Sequence, residues 1–494
     1  NEEKEKYDSF VKDEIESAIY NKNLAYLFNI KGGIFCLNNI NDKQDKIILE
    51  NRATIVIDSQ LGSLHQQILD IENTIKERVK LSSYDVKNEY SSINQADNDL
   101  NQQFNETNLK YFNEYGGFSL DGKEYLIKVN RETKLPTVWS NILANENFGT
   151  LVTESMGGYT WKNNSKLKRI TAWNNNQVTD VPSEVIYLKD LKQNKSWSLG
   201  LNPMPDENNY YITYGLGYAK YLHTSDGIEQ KLEVFVPNED AVKINLLHLE
   251  NKTLESKNIR IVYYIKPVLD EDEIKSNEKL FLEYNSKSNM IFVKNVSNEE
   301  IKDKIFISCS EKIKSYTGSR TSFFRNTSLV NPDGLNQIEL NRENLYGEDG
   351  IIAISFEIKL DSLSVNDISI ILGAENENSK CQDIAYKYSD IGNCKDALMK
   401  TKKHWEEIVD KIQVNTPIES TNILLNGWLI YQTLVSRLYG RTGFYQSGGA
   451  FGYRDQLQDS MAIKYFLPEV TRNQILKHSK HQFIEGDVEH WWHD

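Results

Sequence analysis

From Gly116 to about Gly373 the chain alternates apolar and polar residues with a period of two, and this alternation restricts the possible folds more than anything else in the sequence. Ile352, Ile354, Phe356, Ile358 and Leu360 share one side of an extended segment, while Ser355, Glu357 and Lys359 take the other. Successive side chains of a strand point to opposite faces, so the spacing predicts a half-buried strand. Val242, Ile244 and Leu246, set opposite Lys243 and Asn245, repeat the pattern, as do Leu232, Val234 and Val236. Many such runs separated by Asp-Gly, Asn-Lys and Asn-Pro turns predict a large antiparallel β-sandwich, since each sheet must bury its apolar face against another layer.

Helical spacing flanks this region. Ile68, Ile71, Ile75 and Val79 recur every three or four residues between Gln66 and Leu81, and the polar stretch from Tyr84 to Asn108 reads as a loop or an exposed helix. Beyond Asp383, Leu398, Trp405 and Ile412 fall seven apart and predict a linker helix lying against the sandwich. Pro417 ends that passage, and Ser420 or Thr421 is placed to cap a helix carrying Leu424, Trp428, Tyr431, Val435 and Leu438. Gly440 and Gly443 close it, another helix starts near Gly452, and a further one is expected from about Pro468 to Ile484. Paired helices joined by Gly-rich loops suggest a helical-hairpin array or the start of an α/α barrel. The expected division is an N-terminal helical segment (1–110), a β-sandwich (111–380), a helical linker (381–416) and the start of a helical barrel (417–494). The chain begins at Asn1 and stops at Asp494 within an aromatic, His-rich stretch, so both ends read as cut.

A formal charge of −14, from 57 basic and 71 acidic residues, argues against nucleic acid or an anionic membrane surface as partner, because both demand a basic face. Cys36, Cys309, Cys381 and Cys394 lack metal-ligand spacing and read as reduced thiols of a cytoplasmic protein. No apolar run reaches the roughly 20 residues of a membrane helix.

The densest polar chemistry is in Gly452-Tyr453-Arg454-Asp455-Gln456-Leu457-Gln458-Asp459, which sets a guanidinium, two carboxylates and two amides directly after a glycine-rich turn. A hexose presents hydroxyls that both donate and accept, so carboxylates, a forked donor and amides suit it. If the segment opens a helix, Asp455 and Asp459 stand on one face with Gln458 beside them; the plainer reading is an exposed helix start whose acids suit the dipole. His490-Trp491-Trp492-His493 suggests a cleft wall with stacking rings; adjacent aromatics and the absence of supporting Cys or Glu spacing argue against a metal site. Trp139, Trp161, Trp173 and Trp197 crowd one part of the β region and read as core or as a sugar platform. Two helical carboxylates about 5–6 Å apart at Cβ are too close for an inverting glycosidase that must admit a water, though a retaining one is compatible. From the residues alone, the reading is a carbohydrate cleft of unassigned chemistry.

An ordered series of motifs then resembles glycoside hydrolase family 94: Gly116-Gly117-Phe118, Trp139-Ser140-Asn141, Asn145 to Thr150, Gly158-Tyr159-Thr160-Trp161, Glu184 to Asp190, Phe444-Tyr445-Gln446, Arg454 to Asp459, and Gly486 to His493. The Gln-Leu-Gln-Asp form and the His-Trp-Trp-His ending look most like members acting on β-1,2-glucans, namely 1,2-β-oligoglucan phosphorylases and the matching domain of cyclic β-1,2-glucan synthases. The resemblance implies a β-sandwich, a helical linker and an (α/α)6 catalytic barrel. It implies inverting phosphorolysis of β-1,2-glucooligosaccharides to α-glucose 1-phosphate, with inorganic phosphate as co-substrate, no cofactor or metal, and a possible homodimer. It places Arg454 and Asp455, with Asp459, on the terminal glucose, and makes Gln458, His490, Trp491, Trp492 and His493 candidate substrate contacts.

One departure matters. The family's general acid lies in a Trp-Asn-Asp motif later in the barrel, and Trp173-Asn174-Asn175 lacks the Asp and belongs to the sandwich. The acid is therefore expected beyond Asp494, and these residues alone are expected to be inactive. The phosphorylase-like domain of a cyclic glucan synthase and a non-catalytic carbohydrate-binding fragment remain the alternatives.

Overall fold

The computed structural model describes residues 108–493 except 134, 272, 277–278, 297–301 and 346–348, together with 13, 17, 57, 63, 65–71 and 104. The chain divides into two units, Asn1–Glu89 and Tyr90–Asp494. In the first, residues 65–71 are helical. The rest of the expected helix to Leu81, most of the polar stretch from Tyr84 to Asn108, and Cys36 lie outside the described residues.

In the second unit the alternating region forms three antiparallel sheets. A ten-stranded sheet runs in the order Gly116–Phe118, Tyr125–Val129, Tyr210–Gly215, Tyr218–Ser225, Ile228–Phe235, Val242–Asn251, Val365–Glu375, Lys304–Cys309, Met290–Asn295 and Leu280–Asn285. One five-stranded sheet orders Ser315–Ser319, Gly350–Leu360, Lys257–Ile265, Glu184–Asp190 and Lys195–Ser198; the other orders Pro267–Asp270, Arg169–Thr171, Gly158–Lys162, Phe148–Thr153 and Ser140–Ala144. Ile352, Ile354, Phe356, Ile358 and Leu360 enter one core with Leu232, Val234, Leu247 and Leu249, which is the face-to-face sandwich that the alternation predicts.

The opposite face of the large sheet is covered as well. Helix α1 (Asn378–Ser389) and helix α2 (Ile391–Val409) lay Cys381, Ile384, Tyr388, Cys394 and Leu398 onto Val242, Ile244, Leu246 and Ile371. This reverses one expectation: in strand Val242–Asn251, Val242, Ile244 and Leu246 meet the helices, while Lys243 and Asn245 are buried as well, on the inner side of the sandwich with Leu247 and Leu249. Lys243 is tolerated there because its ammonium pairs with the Glu184 carboxylate, which also accepts from the Tyr263 hydroxyl. In strand Gly350–Leu360 the second face is buried at its start, where Ile351 and Ala353 pack under Phe323, Phe324, Leu335 and Leu340, and opens at half-buried Glu357 and exposed Lys359. Cys309, Cys381 and Cys394 are buried free thiols. Among the described residues no helix is long and apolar enough to cross a membrane.

Leu398 and Trp405 are buried in or beside α2 as their spacing predicts, but α2 stops at Val409 and Ile412 is exposed beyond it. The next helix, α3 (residues 419–439), is capped at Ile418, so Ser420 and Thr421 lie inside it and Leu424 is exposed. Thr416 and Asn422 close the turn before it, the Thr416 amide and hydroxyl both donating to Asn422 Oδ1 at 2.8 Å. Over Leu424–Trp428 and Thr433–Tyr439 the backbone bonds step to i→i+5, which widens the helix, and Trp428, Tyr431, Leu434, Val435 and Leu438 pack on the sandwich. Trp428 Nε1 donates to the Gly122 carbonyl at 2.9 Å and the Tyr431 hydroxyl to the Ile142 carbonyl. Sandwich and helices thus share one core.

A buried carboxyl pair sits within the sandwich near this junction. Glu154 accepts from the Trp139 amide at 2.9 Å, and Asp180 accepts from the hydroxyls of Thr153 and Ser155. Burial, reinforced by Asp180, pushes Glu154 from 4.5 up to about 8, and burial raises Asp180 too. A carboxyl raised on folding costs nothing below pH 4.5, where both states are protonated; the cost grows as only the unfolded carboxyl ionises and is complete above about pH 8. Wild-type stability should therefore fall between pH 5 and 8. Glu154→Gln, which keeps the acceptor for Trp139, is expected to raise the melting temperature by a few degrees at pH 8 and to change it little at pH 4.5; thermal denaturation across that range checks both.

Candidate functional site

The Gly452 octet does open a helix, α4 (Tyr453–Ile463), with extended Gly452 as its N-cap. Gln456 is buried and takes on the capping role: its Oε1 accepts from the Gly452 amide and its Nε2 faces the Arg437 carbonyl at 3.5 Å. That leaves Arg454, Asp455 and Gln458 exposed and Asp459 half-buried. The Arg454 side chain is 87% exposed and meets Asp455 Oδ1 at 3.3 Å. Asp459 is held by another guanidinium, accepting from Arg437 Nε at 2.7 Å. Each carboxylate of the i, i+4 pair thus has its own arginine.

Residues 451–452 pair with the second motif. Phe451 stands opposite Trp492 and Gly452 opposite Trp491 in a short antiparallel ladder, extended where the Tyr453 amide donates to the His490 carbonyl at 3.1 Å. The ladder joins the polar octet to His490-Trp491-Trp492-His493 across an interval, residues 460–489, that contains helix α5 (Pro468–Ser479). The helix ends at Ser479 rather than near Ile484, and residues 481–489 fold back as a hairpin in which His481 bonds Glu489 at 2.7 Å.

The two tryptophans of that motif have different fates. Trp491 is 56% exposed and stands edge-on to the His493 ring at 5.5 Å, so a flat face remains for a ligand. Trp492 is 8% exposed, with its ring stacked on His481 at 3.8 Å and on Phe451 at 5.6 Å, and His478 against its edge. The expectation that Trp492 contacts a sugar is therefore corrected: alternation across the ladder turns it into the protein. Of the four sandwich tryptophans, Trp161 and Trp197 are fully buried and Trp139 and Trp173 pack against the core, so the platform reading gives way to the core one.

Between α3 and α4, the glycine-rich turn is clamped to the sandwich. Arg441, buried and at φ +48°, donates from Nε to Gly449 O (3.0 Å), from Nη1 to Leu438 O and Tyr439 O (both 3.2 Å), and from Nη2 to Asn163 O (2.9 Å). Its guanidinium also lies 4.0 Å from the centre of the Phe451 ring. Further ties run from Ser165 Oγ to Gly440 O (2.7 Å), between the Tyr159 and Thr442 hydroxyls (2.6 Å) and from Arg169 Nη2 to Ser447 Oγ (2.8 Å). Tyr445 stays exposed while its hydroxyl is fixed by Thr137 (2.6 Å) and Gln177 (2.8 Å). Sequence reasoning passed over Arg437 and Arg441, and counted Gln456 only as one of the two amides of the octet. Only Arg441 carried a signal, as the lone cation between Gly440 and Gly443; the pairing of Arg437 with Asp459 spans two helices and leaves no local trace.

A cavity of about 30 Å³ inside the sandwich, lined among others by Glu184, Lys243, Asn245 and Tyr263, has room for a water or two and not for a sugar. It touches neither motif. No group of three or more His, Cys, Asp or Glu side chains suited to a metal ion occurs among the described residues.

The family comparison gives a name to this antiparallel sandwich whose loops clamp the opening of a helical domain. The glycosyl hydrolase 94 supersandwich domain matches residues 123–391, more than half of the chain, and the glycosyl hydrolase 94 superfamily catalytic domain matches residues 404–494. The chain belongs to glycosyl hydrolase family 94. It is 28% identical over 405 residues to the cyclic β-(1,2)-glucan synthase NdvB of Rhizobium meliloti (strain 1021), covering 81% of this chain and 14% of that protein. It is 24% identical over 376 residues to the N,N'-diacetylchitobiose phosphorylase of Vibrio furnissii (73% of this chain, 46% of that protein) and 24% identical over 313 residues to the solabiose phosphorylase of Paenibacillus borealis (62% and 40%). The chain spans less than half the length of each of these relatives.

Removing the Arg441 fork leaves four carbonyls short of a donor, two of them its anchors to the sandwich side and the far side of the turn. Arg441→Met is expected to cost about 3 kcal/mol, the scale for losing buried charge-assisted hydrogen bonds, read as a drop in the urea midpoint. Arg441→Lys should recover little of it, because an ammonium cannot span the same carbonyls.

Proposed function

We propose that the chain carries the supersandwich and the opening of the catalytic domain of an inverting phosphorylase acting on β-1,2-glucooligosaccharides. The observation behind this reading is the Phe451–Gly452 ladder with Trp491–Trp492, which draws Arg454, Asp455, Gln458 and Asp459 to the same end of the helical domain as His490, Trp491 and His493. Carboxylates accept from two hydroxyls of a terminal glucose, Arg454 donates to a third, and Trp491 offers its face to the C–H side of the ring. Phosphate then attacks C1 from the face opposite the glycosidic bond, that bond breaks, and the leaving oxygen takes a proton from a general acid, giving α-glucose 1-phosphate and a shortened glucan. Phosphate brings its own nucleophilic oxygen, so no second carboxylate has to activate a water. Among these 494 residues we assign the grip on the sugar and not the acid. The preference for β-1,2 linkages is supported by the likeness to NdvB, which covers more of this chain than either phosphorylase does. The same likeness favours, as a second reading, the corresponding domain of a cyclic glucan synthase.

The test is incubation of the chain, alone and within the full-length protein, with β-1,2-glucobiose and its longer homologues, with and without phosphate. The full-length protein is expected to release α-glucose 1-phosphate only when phosphate is present, and the 494-residue chain to bind without turnover. Products formed without phosphate would point to transglycosylation or hydrolysis. Trp491→Ala is expected to weaken binding of β-1,2-glucobiose by about tenfold, roughly the energy of one stacked ring, while leaving the melting temperature nearly unchanged; isothermal titration and thermal denaturation read the two effects.

A further inference from the structure

Asn164 belongs to the sandwich, in the turn after strand Gly158–Lys162, and is 2% exposed. Its Oδ1 accepts from the backbone amides of Lys166 and Leu167, both at 3.0 Å. Two N–H donors on one side of the amide fix that atom as oxygen and the other as NH2. The NH2 group faces the Gly449 carbonyl at 3.1 Å and Nδ1 of His493 at 3.1 Å. An amide NH2 only donates, so Nδ1 must accept, and an imidazole that accepts at Nδ1 is neutral with its proton on Nε2.

The surroundings agree. Burial lowers the pKa of His493, and the cations Lys166 and Arg441 lower it further, against the opposing pull of the Gly449 carbonyl and the Glu271 carboxylate. The Trp491 ring meets the imidazole edge-on. Gly449 is at φ +63°, and a Cβ there would stand 2.2 Å from Asn164 Oδ1, so the turn is shaped to this side chain.

We propose that Asn164 is a positioning residue of the sugar site: it locks His493 as the Nε2–H tautomer, so that His493 donates a hydrogen bond to an oxygen of the bound sugar. The donor role rests on the sugar-cleft reading above, whereas the tautomer does not. Nitrogen-15 NMR of the histidine rings in the wild-type chain at pH 7 is expected to show His493 protonated at Nε2 and bare at Nδ1. A ring protonated at Nδ1 overturns the proposal without any mutation. In Asn164→Asp the oxygen facing Nδ1 can only accept, so Nδ1 should gain a proton, the pKa of His493 should rise, and affinity for β-1,2-glucobiose at pH 7 should drop at least fivefold. An unchanged tautomer and pKa overturn the positioning role. His493→Gln, which keeps an N–H donor near the position of Nε2, should bind within threefold of wild type and His493→Ala at least tenfold more weakly; equal losses sink the donor role. If the wild-type chain binds no β-1,2-glucobiose at all, the sugar reading fails and the donor role falls with it, while the NMR result still decides whether Asn164 sets the tautomer.

Discussion

The arrangement of the candidate site depends on one buried guanidinium. Arg441 sits in a left-handed backbone conformation that a non-glycine residue adopts at a cost of about 1–2 kcal/mol, and its side chain offsets that cost by satisfying carbonyls on both sides of the turn and one in the sandwich. A guanidinium that donates to four backbone carbonyls is not replaced by lysine, because the acceptors are fixed by the fold and outnumber what an ammonium can reach. With the fork in place, Gly449 lies against Asn164, Phe451 lies under the guanidinium, and the strand pairing that fixes Trp491 and Trp492 follows.

This explains why the sandwich and the helices form one body. A clamp of hydrogen bonds between two loosely packed domains would compete with water. Here the bonds close over a shared apolar core in which Trp405, Tyr431, Leu434 and Leu438 join the sheet residues. The Trp405 ring occupies the space beside Gly217, where a Cβ would come within 2.3 Å of it, so sheet and linker helix meet at van der Waals distance. Trp428, Tyr431, Leu434, Val435 and Leu438 fall at spacings of three and four on one face of α3, and that face is buried against the sandwich.

The sandwich was legible in the sequence because strand periodicity is local and repeats many times. What alternation could not reveal was which side of Val242–Asn251 faces helices and which faces the other sheets: Lys243 reads as solvent-facing until Glu184, distant in sequence, supplies its partner. Element ends were read less well for the same reason; Leu424 and Ile412 fit a helical repeat but lie where nothing packs over them. In the candidate site, the two motifs were visible as composition, and their meeting through the 451–492 ladder was not. Asn164, Arg437 and Arg441 act through contacts that link different elements, and residue type alone carries no sign of that.

The exposure of Arg454 and Asp455 has a physical consequence for how such a site can work. A hydrogen bond from a solvated guanidinium to a neutral hydroxyl replaces one to water, and its net gain is small. The same donor becomes effective when a second wall excludes water, because the competing partner is lost and the local dielectric falls. Asp459 is already half-way there, shielded and paired with Arg437, whereas Arg454, paired with the neighbouring Asp455, stays open to water on the first turn of α4. On the sugar reading proposed above, this gradient across a single helix, from the paired and shielded carboxylate to the open guanidinium, gives inner residues that are preorganised and outer ones whose contribution depends on how far water is excluded.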